Sequence, residues 1–120
     1  MGDLAPLNHL RGRCLGFPEV HERLNHEEPS WVVRRRTLAQ YTERLPVDRV
    51  SFWCPAPPGA AEALAAAEPD RFYRPRFGGS GWVGVYLDVE PDWVEIHEML
   101  SEAYRLIAPK KLIAELDSSS

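Results

Sequence analysis

The chain has 120 residues, of which 44% are apolar and 27% charged. That is a size and balance for one domain around one core, since a chain of this length buries roughly two-thirds of its unfolded surface. No apolar run approaches the roughly 20 residues that cross a bilayer, and the opening MGDLAPLNHLRGR lacks the basic-then-apolar order of a secretory signal, so a cytoplasmic protein with no membrane partner is expected. A formal charge of −4 argues against a strongly electrostatic nucleic-acid binder, because such binding rests on neutralised phosphates.

In chain order, Leu4, Leu7, Leu10 and Cys14 recur at helical spacing after a capping Asp3 and before Gly16 and Pro18, which predicts a helix over about 4–15. Val20 to Asn25 is a candidate first strand. Trp31 to Val33 and Thr37 to Thr42 read as two strands turning at Arg35-Arg36, and Arg49 to Cys54 as a third, giving an antiparallel meander. The tract PAPPGAAEALAAAEP predicts a helix over about 59–68, bounded by breakers. Arg71 to Phe77 reads as an extended segment with Phe72, Tyr73 and Phe77 inward. Trp82 to Asp88 is the clearest strand. Pro91 suits the first position of a third helix, whose stripe of Trp93, Ile96, Leu100, Ala103, Tyr104 and Ile107 stops at Pro109. The segment 110–120 is expected to fray, so the domain is drawn as 1–113 with a tail over 114–120. This order implies a two-layer α+β fold, an antiparallel sheet of about five strands packed against helices.

The stretch GSGWVG at 79–84 spells a dinucleotide-binding fingerprint, but its order is reversed. Such glycines work in a strand-to-helix turn, whereas these precede and enter a strand. Gly84 is instead a strand glycine between Trp82 and Tyr86 where another group comes close, and no cofactor is expected. His21, Glu22, His26, Glu27 and Glu28 could suggest a metal, but the spacing of the histidines fits neither face of a strand nor of a helix, and a solvated loop is favoured. Cys14 and Cys54 read as small buried hydrophobes. No nucleophile motif or paired acid points to catalysis.

Charge is segregated: Arg34, Arg35 and Arg36 form one basic cluster, Arg71, Arg74 and Arg76 another, and Glu90, Asp92, Glu95, Glu98 and Glu102 follow together. If Val50, Phe52, Cys54, Val83, Val85 and Leu87 pack under the helices, alternation turns Trp53, Trp82 and Tyr86 to the other side. Those rings suit a protein contact or homodimer, or a platform on which bases stack beside arginine-held phosphates. A small-molecule pocket between sheet and helices is a further alternative.

The run from Val32 to Leu112, through RRRTLAQYTE, EPDRFY, GWVGVYLD and AYRLIAPKKL, resembles the MmcQ/YjbR family of small bacterial proteins. The resemblance implies the CyaY-like, double-wing α+β fold and a non-enzymatic binding domain, labelled DNA-binding by analogy of shape, with no catalytic residues to carry over. It points to Arg74, Lys110 and Lys111 as basic positions, while the turn that often holds Gly-Lys has Arg35-Arg36 here. DNA is therefore one expected partner, through both arginine clusters.

Overall fold

A computed structural model describes residues 5–43, 49–75 and 81–118. The elements run α1 (Ala5–Leu15), β1 (His21–Asn25), β2 (Glu28–Val33), β3 (Arg36–Thr42), β4 (Ser51–Pro55), α2 (Ala60–Ala67), β5 (Phe72–Tyr73), β6 (Trp82–Tyr86), α3 (Trp93–Ile107) and α4 (Lys110–Ser118). The strands form one antiparallel sheet in the order β1-β2-β3-β4-β6-β5. The fold is thus the expected α+β architecture, with six strands where about five were anticipated.

The β1–β2 and β2–β3 turns are made without glycine. His26 and Glu27, between β1 and β2, both have positive φ, at 52° and 68°, the backbone twist that lets a two-residue loop join twisted strands. Val33 pairs with Arg36 across the next turn, so its loop residues are Arg34 and Arg35 rather than Arg35 and Arg36. Arg34 takes φ 57°, a region that bulky residues rarely adopt.

A bulge in the β2–β3 ladder shapes the core. Trp31 opposes Ala39 while Val32 opposes Thr37, which leaves Leu38 as the extra residue. Two successive side chains, Leu38 and Ala39, can then face the helices, and both are completely buried. With Trp31, Val33, Tyr41, Phe52, Cys54, Val83, Val85 and Leu87 they meet Leu10 and Cys14 of α1, Ala61 of α2, Ile96, Leu100 and Tyr104 of α3, and Leu112 of α4 in a single cluster. All four helices contribute buried apolar residues to this one cluster. The two cysteines are free and lie inside the cluster; burial raises the Cys54 thiol to about 12.

Two expectations about the C-terminal half need correction. Helix α3 begins two residues later than a helix opened by Pro91, because the Asp92 carboxylate accepts the Glu95 N–H at 3.1 Å and caps it. Beyond Pro109 the chain does not fray at 110 or at 114 but forms α4 to Ser118. Pro109 both stops α3 and opens α4, its carbonyl accepting from the N–H groups of Leu112 and Ile113. Leu112 is fully buried, and Arg105 of α3 pairs with Asp117 of α4.

Candidate functional site

The side of the sheet opposite the helices has a polar middle and an aromatic end. Ser30, Gln40, Thr42 and Ser51 lie there and are 0–7% exposed, so each needs a hydrogen-bonding partner. The Thr42 hydroxyl donates to Glu28 at 2.9 Å, the Asn25 amide donates to Gln40 at 2.9 Å, and the hydroxyls of Ser51 and Tyr73 are 2.7 Å apart. Toward β6, Trp53, Trp82 and Tyr86 are half-buried on this same side, where alternation puts them, while Phe52, Cys54, Val83 and Val85 of the same strands are buried under the helices.

Tyr73 belongs to this aromatic group and was not expected there. Phe72 pairs with Val85 and faces the core, so the next residue of the strand points the other way; the reading that turned both rings inward fails on strand alternation. Tyr73 pairs with Gly84 and lays its ring where a side chain would stand: a Cβ on Gly84 would come within 2.2 Å of the ring. The close approach inferred for Gly84 is therefore a tyrosine ring. Burial pushes the Tyr73 hydroxyl up to about 12. Its ring meets Tyr86 at 4.8 Å, and the Arg49 guanidinium lies 3.5 Å above Tyr86 while binding both oxygens of Asp88 at 2.9 and 2.7 Å. That pairing lowers the Asp88 carboxyl below its ordinary range.

The basic residues divide into two settings. Arg34, Arg35 and Arg36 stand exposed at the β2–β3 tip and share a shallow concavity with Ile107 and Pro109 at the α3–α4 elbow. Lys110 and Lys111, also exposed, open α4 directly after that proline. Arg34 pairs with Glu19 at 2.9 Å. Among the described residues no carboxylate pairs with Arg35, Arg36, Lys110 or Lys111.

The second cluster is engaged within the molecule. Arg71 bonds to Glu68 at 2.8 Å and to Glu95, with its guanidinium 4.8 Å above Phe72, and Arg74 pairs with Glu62 at 3.4 Å. The bond to Glu68, then that to Glu95, raises the Arg71 pKa. Arg76, together with Phe77 and Gly79, lies outside the described residues. Strand order also separates the clusters, since the β2–β3 tip and β5 have β4 and β6 between them, about 14 Å of sheet from β3 to β5 at about 4.8 Å per strand. The fold sets the first cluster against the elbow at Ile107 and Pro109, which Lys110 and Lys111 follow directly in the chain, and strand order separates it from Arg71 and Arg74.

The architecture is that of a two-layer α+β domain with helices on one side of a continuous sheet. The YjbR family model matches residues 15–106, and the chain belongs to the YjbR family. A solved structure of the same fold is that of Deinococcus radiodurans protein DR2400, with a DUF419 domain; it is 21% identical, with a TM-score of 0.73 over 96% of this chain and 92% of that one. No curated protein matches the sequence. Among the described residues no helix is long and apolar enough to cross a membrane.

Proposed function

We propose that this YjbR-family chain is a non-enzymatic binding domain, and that it contacts duplex DNA through the basic tip and elbow formed by Arg34, Arg35, Arg36, Lys110 and Lys111. The observation that carries the reading is the meeting of the three hairpin arginines with Ile107 and Pro109 in one concavity, beside two exposed lysines. Guanidinium groups at an exposed hairpin tip can follow a phosphate backbone without reading bases, so such binding is weakly sequence-dependent. Arg71 and Arg74 are left out because Glu68, Glu95 and Glu62 already neutralise them, and Arg34, which belongs to the tip but pairs with Glu19, is not counted among the charges that neutralise phosphates.

The test is the salt dependence of binding to a labelled duplex. Four phosphates neutralised by Arg35, Arg36, Lys110 and Lys111 give a slope of log affinity on log salt near −3.6, at about 0.9 per phosphate. Charge reversal at Arg35 and Arg36 should remove about half of that slope, and Arg74→Ala should leave it unchanged. No binding at low salt refutes the reading.

A second reading is favoured by one observation: Trp53 and Trp82 are only half-buried on the sheet side that bears no helix. Rings in that setting suit a protein contact, and Trp82→Glu should then abolish capture of the partner or lower the sedimenting mass.

A further inference from the structure

The other end of α3 carries a concavity of different chemistry. Between β6 and α3 the segment Leu87 to Asp92 belongs to neither helix nor strand and alternates apolar and acidic residues: Leu87, Val89 and Pro91 against Asp88, Glu90 and Asp92. With Pro6 of α1 and Val50 before β4, its residues line a groove of about 520 Å3 that is open along one side. That volume lies within the range of about 300–1,000 Å3 typical of ligand sites. Leu87, 2% exposed, forms part of the core as well as the lining, so the floor is rigid. The two prolines fix its walls.

The acids at this groove differ in what they already do. Asp88 has both oxygens on Arg49, and Asp92 caps α3. Glu90 is exposed and pairs with no cation among the described residues. The rim therefore holds one uncommitted negative charge beside an apolar trough. An anionic ligand is repelled there, and a wholly apolar one gains nothing from the carboxylate.

We infer that this groove docks an extended segment of a partner protein in which basic and apolar residues alternate. Its apolar side chains fill the trough between Pro6, Val50 and Val89, and a lysine or arginine reaches Glu90. Charge complementarity selects the partner: Glu90, exposed and unpaired among the described residues, sets the sign of the charge that a segment lying in the apolar trough must carry. The groove and the arginine tip sit at opposite ends of the 15-residue α3, about 21 Å apart at a rise of about 1.5 Å per residue. One molecule can thus hold an acidic and a basic partner at once.

The experiment titrates the full chain with a short labelled peptide of alternating valine and lysine, read by fluorescence anisotropy and by amide chemical-shift mapping. Expected are shifts confined to Val50 and 87–90, and a loss of affinity of about three- to fivefold in Glu90→Gln, the size of an exposed ion pair. Glu98→Gln, on α3 and outside the lining, should leave the affinity unchanged, and replacing the peptide's valines by serine should abolish binding. Shifts spread along the α3 acids, or no binding at millimolar peptide, overturn the inference. So does a concentration-dependent rise in sedimenting mass that Glu90→Gln removes, because the occupant is then the arginine tip of a second copy. Charge reversal at Arg35 and Arg36 should leave peptide binding intact while removing DNA binding, so the two readings can fail separately.

Discussion

Replacing Gly84 with alanine adds one methyl group where the Tyr73 ring already fills the space on the helix-free side. The new Cβ would lie 2.2 Å from Cζ and 2.4 Å from both Cε atoms of Tyr73, inside any real carbon–carbon contact, so the ring must move. Overpacking of this kind costs about 1–3 kcal/mol. Displacing the ring also breaks its 2.7 Å bond to Ser51. Ser51 is 0% exposed, and a buried hydroxyl left without a partner costs a further amount of about 1–3 kcal/mol. Against this, alanine in place of a strand glycine recovers about 0.5–1 kcal/mol of backbone entropy. The expected net loss is about 2–4 kcal/mol, measured by urea unfolding. A double-variant cycle isolates the cause: once Tyr73→Ala has removed the ring, Gly84→Ala should cost little or should stabilise, giving a coupling of about 1–3 kcal/mol. A Gly84→Ala protein within about 0.5 kcal/mol of the parent, at the same unfolding slope, would refute the assignment of this glycine to the tyrosine ring.

Leu112→Ala should destabilise the whole domain by about 2–5 kcal/mol, because the side chain is fully buried and belongs to the common core; hydrogen exchange over 110–118 as fast as in a free peptide would show that α4 is not docked. Burial holds the hydroxyls of Tyr41 and Tyr73 up to about 12, while an unfolded tyrosine ionises near pH 10. The folded state thus keeps these two phenols neutral, and the stability linked to them is full below about pH 10 and is lost as pH rises toward about 12. Alkaline titration followed by phenolate absorbance should show late ionisation coinciding with unfolding; ionisation of all four tyrosines near pH 10 with the far-ultraviolet signal unchanged would contradict the burial.

The candidate surfaces were legible in the sequence to different depths. Strand periodicity was enough to send Trp53, Trp82 and Tyr86 to one side and Phe52, Val83 and Val85 to the other, because side-chain direction along a strand is a local property with period two. The same rule, applied to a strand only two residues long, was missed at Phe72 and Tyr73. Clusters of arginine are visible as letters, but their partners are not: Glu95 is 24 positions from Arg71, and only packing of α3 near β5 brings them together.

The sequence alone settled the kind of most elements, though neither the sixth strand nor α4, together with the glycines that precede and enter β6 and the family pattern that runs through GWVGVYLD, since all of these depend on neighbours within a few residues. Strand order, the bulge that turns Leu38 and Ala39 to the core, the docking of α4 beyond a proline read as a stop, and the division of arginines into paired and exposed sets arose from contacts between distant segments. Helix propensity and hydrophobic period carry no information about which carboxylate a guanidinium will meet. That is fixed by geometry, when closing one sheet and laying four helices on one of its sides brings remote residues within bonding distance.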